Sequence, residues 1–113
     1  MGEQVELNEK RMELVGKFKA LCPDFMTAEY GLIKMTYQDG ALTARTKRLM
    51  SLAIALKAGC TNCILAQTQY ALEEGASREE ILETLQVAVA MSGTTGIAES
   101  LRVIEYLDET GRL

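Results

Sequence analysis

No histidine occurs anywhere in the 113-residue chain. Its absence removes the commonest general base and the commonest zinc ligand, so acid–base chemistry must come from Cys, Asp, Glu, Tyr or Lys. Positive charge is not in excess either. Against 16 Asp+Glu there are 12 Lys+Arg, and the net charge of −4 gives no electrostatic drive toward nucleic acid or an anionic membrane. Long hydrophobic runs are missing, and the most apolar stretches, 49–56 and 87–91, are far too short to span a bilayer. The first ten residues are polar and charged, unlike a signal peptide, so a cytoplasmic location is expected. β-branched and aromatic residues are sparse and do not alternate, which argues against strands. Cysteines number three, an odd count that does not suit a disulfide-stapled secreted scaffold.

What is present reads as one helical domain over residues 1–113. Hydrophobic residues at 48% and charged residues at 25% argue against disorder, and the length suits a single core. Ala, Leu, Glu, Lys, Gln and Met dominate, all good helix formers. A first helix is expected from about Glu3 to Leu21, with Val5, Met12, Val15, Phe18 and Leu21 on one apolar face. Pro23 should end it, and Asp24 can cap a second helix reaching about Gln38. Thr43 is a good N-cap for a third, running to about Ala58 and closed by Gly59. The fourth begins at Cys60 and ends by Gly75. Ser77 to Glu80 forms a capping box for a fifth, which runs to about Ser92, and a sixth covers about Thr95 to Glu109. The expected fold is therefore all-α, a single domain of about six helices.

Cys60-Thr61-Asn62-Cys63 is the constellation that can carry chemistry. Sulfurs one helical turn apart can close a disulfide with little backbone movement. A helix N-terminus stabilises a thiolate, and by that argument alone Cys60, nearer the end, is the more acidic. Zinc is disfavoured, because only Cys22 could add a third thiolate and there is no second C-x-x-C. No cofactor is expected. Gln67, Tyr70 and Glu74 continue along the face of the Cys pair. Gln67 can orient a water or a substrate oxygen but cannot take a proton. Arg45, Lys47 and Arg48 form a small basic cluster, read as a solvated helix face.

Residues 42–107 resemble the carboxymuconolactone decarboxylase family and its alkylhydroperoxidase D-like branch. The resemblance is carried by Leu42-Thr43-Ala44-Arg45-Thr46-Lys47-Arg48-Leu49, by Ala58-Gly59-Cys60-Thr61-Asn62-Cys63-Ile64, by the run from Ala71 to Ile81, and by Gly93. It implies an all-helical fold that assembles into homo-oligomers, commonly trimers or hexamers. Residues 49–56 and 87–91, apolar on too many sides for one small core, fit that independently. In that branch the Cys pair is catalytic, so Cys63 would attack a peroxide, Cys60 would resolve it, and a dithiol partner protein would regenerate the pair. The resemblance thus sets Cys63 first, where the helix-end argument favours Cys60. The branch also carries a proton relay of Glu and His, and those positions are here Arg48 and Gln67, neither of which accepts a proton. Glu83 and Glu99 are the acids to consider as substitutes, with Tyr70 as a hydrogen-bond donor. Three readings stay open: a peroxide or disulfide reductase, a decarboxylase relative acting on a small organic acid with Arg48 or Arg45 holding a carboxylate, and a non-catalytic oligomer.

Overall fold

The computed structural model describes residues 2–113 as six α-helices: α1 (Glu3–Leu21), α2 (Pro23–Thr36), α3 (Ala44–Ala58), α4 (Thr61–Glu73), α5 (Arg78–Ser92) and α6 (Thr94–Glu109). Local chemistry sets most of the boundaries. Thr43 Oγ1 accepts the Thr46 N–H at 3.1 Å to open α3. Ser77 and Glu80 complete a reciprocal capping box at the start of α5. The expected cap at Asp24 is not found. Pro23 takes the first helical position, where its fixed φ fits and its missing N–H costs nothing, so Asp24 falls inside the first turn. A different aspartate serves α3, with Asp39 Oδ1 accepting the Ala44 N–H at 2.7 Å.

The end of α3 needs a left-handed residue. Gly59, at φ 70°, lets its own N–H reach Leu56 and the Cys60 N–H reach Ala55, which closes the last turn. The chain can then start α4 after a single further residue.

The core lies among α3, α4, α5 and α6, where Leu52, Leu56, Ile64, Ile81, Val103 and Leu107 are fully buried. α1 does not bury its apolar face as its periodicity implies: Val15, Phe18 and Leu21 stay exposed, while Gln4 and Asn8 are buried. Its N-terminal half docks through hydrogen bonds. The Gln4 and Val5 N–H groups donate to the Glu109 carboxylate at 3.1 and 2.8 Å, and Asn8 Nδ2 donates to Gln69 Oε1 at 2.7 Å. α2 buries no residue and packs chiefly on α1, with Phe18 and Phe25 stacked at the corner. In the same way, Met50 and Ile54 of α3 and Val87 and Met91 of α5 face outward. Among the described residues no helix is long and apolar enough to cross a membrane.

Candidate functional site

Cys60 belongs to two helices at once. Its N–H closes α3, and it is the N-cap of α4, with Sγ accepting the Cys63 N–H at 3.3 Å. The two cysteines are joined as a disulfide, their Cα atoms 5.2 Å apart, which is an ordinary separation for such a bond. Cys63 is exposed and Cys60 half-buried. In the reduced pair, an N-cap sulfur facing free N–H groups favours the thiolate. Exposure favours the other residue, since Cys63 is the more open of the two. The two preferences need not conflict: one describes acidity and the other reach.

One turn further along α4 lies a second cluster. The Arg48 guanidinium lies over two tyrosine rings, 3.4 Å from the Tyr37 ring centroid and 4.4 Å from that of Tyr70. Its Nη1 donates to Gln67 Oε1 at 3.3 Å, while its Nε is shut away from solvent without a partner. Arg48 and Gln67, the replacements at the two relay positions, therefore touch each other. With Tyr70 they line a cavity of about 610 Å³ whose far wall is the α1–α2 hairpin, through Val15, Met26 and Ile33. Gln67 follows Cys63 by four residues, which places it about 6 Å along the helix axis on the same face.

Tyr37 was not legible as part of this cluster. It lies just past α2 in a turn, its hydroxyl bonded to Ser51, and no spacing links it to Tyr70. The basic cluster separates into three roles. Arg45 pairs with Glu80 at 3.6 Å on the surface, and Lys47 donates to the Thr36 and Gln38 carbonyls at 2.9 and 2.6 Å, while Arg48 turns inward. Arg48 thus departs from the expectation of a solvated face, because two aromatic rings offer its flat cation more than water does. Glu83 is exposed on α5, and Glu99 is half-buried 3.9 Å from Arg102 on α6. Neither lines the cavity of Arg48. Glu74 caps the far end of α4, and Cys22 is free and exposed. Among the described residues no three Cys, Asp or Glu side chains converge as a metal would require.

Known proteins resemble this chain over most of its length. Residues 23–106 match the carboxymuconolactone decarboxylase family model. An uncharacterized protein of Cupriavidus necator is 34% identical over 106 residues, covering 91% of this chain and 94% of the relative. The apo crystal structure of a carboxymuconolactone decarboxylase family protein from Legionella pneumophila superposes with a TM-score of 0.87 at 31% identity, covering 94% of this chain and 95% of that one. A Thermotoga maritima protein superposes with a TM-score of 0.79 at 31% identity, covering 90% of each chain. A second crystal structure of that protein describes it as a member of the same family, with a suggested involvement in antioxidative response.

Proposed function

The chain belongs to the carboxymuconolactone decarboxylase family, and from that premise we propose that it is a thiol–disulfide redox protein of the alkylhydroperoxidase D-like branch, reducing peroxides or disulfides through Cys60 and Cys63. The observation that carries this reading is the Cys60–Cys63 bond at the open end of α4, with Cys63 an exposed residue and Cys60 at the N-cap. The suggested antioxidative involvement of the Thermotoga maritima relative agrees with it.

In the reduced state the Cys63 thiolate attacks the outer oxygen of a hydroperoxide. The O–O bond breaks, the alcohol leaves with a proton from water, and Cys63 becomes a sulfenic acid. Cys60 thiolate then attacks the Cys63 sulfur, hydroxide departs and is protonated to water, and the disulfide forms. A dithiol reductant protein returns the pair to thiols by exchange, becoming a disulfide itself. Neither Arg48 nor Gln67 takes a proton in this scheme, so water does the work that a relay does elsewhere. The cytoplasm is the natural compartment, because its reductants keep such a pair cycling. The working form is a homo-oligomer, a trimer or a hexamer, and the outward apolar residues of α3, α5 and α6 support it.

The test is peroxide consumption with a dithiol reductant. Cys63→Ser should fall to the uncatalysed background. Cys60→Ser should complete a single turnover and accumulate a sulfenic acid that a dimedone probe traps. Unchanged consumption by Cys63→Ser would remove the reading.

A further inference from the structure

We propose that α1 and α2 form a hinged cover over the wall made by Arg48, Gln67 and Tyr70, one rigid body that swings about segment 37–43 when the first turns of α1 let go. The inference goes beyond the redox reading and stands without it, since neither cysteine lines the space beneath the cover.

Rigidity within the pair is the first argument. Only Cys22 separates α1 from α2, and the helical hydrogen bonds run on through it. Its N–H donates to the Phe18 carbonyl at 2.9 Å, and its own carbonyl accepts the Met26 N–H at 3.0 Å. Phe18 and Phe25 stack across the corner with ring centroids 6.2 Å apart, and α2 packs chiefly on α1. The corner has no loop to absorb a separation of the two helices, so motion of one carries the other.

The second argument is where the pair is fastened. Of residues 3–36 only Gln4 and Asn8 are buried, both in the first two turns of α1. Their holds are polar. Glu109 accepts the Gln4 and Val5 N–H groups, and Arg102 Nη1 donates to Gln4 Oε1 at 3.3 Å. Gln69 Oε1 accepts from Asn8 Nδ2 at 2.7 Å and from Arg11 Nη2 at 3.3 Å. Among the described residues the next hydrogen bond to α3–α6 comes at the far end of α2, where Lys47 holds the Thr36 and Gln38 carbonyls and Tyr37 bonds Ser51. That end is the pivot, because segment 37–43 is not helical and can take up the change in backbone angle. Between the two fastenings the hairpin stands off α3–α4 across a cavity of about 610 Å³, so swinging outward breaks little there. Shut, the cover encloses Arg48, Gln67 and Tyr70 behind Val15, Met26 and Ile33. Open, it leaves them to solvent, while Tyr37 at the pivot stays on Arg48.

The experiment is native-state hydrogen exchange on the full chain, followed residue by residue as denaturant is raised in small steps. In the wild type the Val15, Phe18 and Ile33 amides should converge on one opening isotherm, below that of Leu52 and Ile81. Gln69→Ala removes the acceptor shared by Asn8 and Arg11 and alters no residue of the hairpin. It should speed exchange about fivefold or more at Val15, Phe18 and Ile33 alike, the effect of one net hydrogen bond, and leave Leu52 and Ile81 unchanged. Ile33 is the discriminating position, because Gln69 bonds to no residue of α2. Faster exchange confined to residues before Met12 would mean that α1 merely frays, and it overturns the proposal. Equal acceleration throughout α3–α6, or none anywhere, overturns it too. The wild-type isotherms decide the matter if Gln69→Ala does not fold: α2 opening separately from α1 would show that the pair is not one body.

Discussion

Arg48 and Gln67 are bonded to each other at 3.3 Å, in the two places where the resembling branch carries Glu and His. The two touch, but a guanidinium and an amide cannot pass a proton at neutral pH. General acid–base help is worth roughly 10²–10⁴ in rate. The double variant Arg48→Glu with Gln67→His should therefore raise peroxide turnover by about 10² or more. Gln67→His alone should raise it less, since the neighbouring Arg48 cation disfavours the imidazolium and no carboxylate orients the ring. Initial rates with a dithiol reductant measure both. A double variant no faster than wild type would mean that proton transfer does not limit the reaction.

At the scale of elements, one carboxylate, that of Glu109, caps the first turn of α1. Burial alone would push the Glu109 carboxyl up, but the N–H groups of Val5 and Gln4 outweigh it, and the net direction is below the ordinary 4.5. A carboxyl lowered in the folded state contributes stability that is present above its unfolded value and lost as pH falls through the folded one. Acidification below about pH 4.5 should thus loosen α1 ahead of α3–α6, read as faster hydrogen exchange at the Gln4 and Val5 amides. Glu109→Gln should do the same at neutral pH. Glu105 runs the other way. Its hydrogen bond with Glu109, then burial and the Glu109 charge, push its carboxyl up. Its contribution is present at low pH and lost as pH rises through the raised value, so Glu105→Gln should slow exchange in α1 at pH 7.

The whole molecule is less compact than its length requires. Its radius of gyration is 14.3 Å, against about 13 Å expected for 113 residues. The accessible surface is 6944 Å², about 800 Å² more than the roughly 6100 Å² of a monomer of 12.4 kDa. That excess is close to the ~800 Å² each partner gives to a standard interface. Large apolar side chains lie on the surface: Ile54, Met91, Ile97 and Leu101 are more than half exposed, and Val89, Ile97 and Leu101 line an open groove between α5 and α6. Light scattering should therefore return a multiple of 12.4 kDa. Placing a charge in the groove with Leu101→Glu should lower the mass toward the monomer while leaving the helical content unchanged. A wild-type monomer at micromolar concentration would refute self-association through this face.

Features that depend on neighbours within about one helical turn were legible from residue order. Thr43, Ser77, Gly59 and Pro23 place helix ends through bonds to groups three to five residues away, or through a single dihedral. The Cys60–Cys63 pairing belongs to the same class, as its spacing brings the sulfurs together on any helix start. Which faces meet was not legible there, because it depends on packing between distant elements. Val15, Phe18 and Leu21 of α1 stay exposed and its buried contacts are Gln4 and Asn8, because Glu109 and Gln69, more than sixty residues away, offer hydrogen bonds there. Arg48 leaves solvent because Tyr37 and Tyr70 arrive from two other segments to stack on it, and no spacing along the chain encodes that meeting. Caps and turns are settled by short-range geometry. The environment of a side chain is settled by the packing of distant elements, and it is that packing which takes Arg48 off a solvated face and sets it over two tyrosine rings beside Gln67.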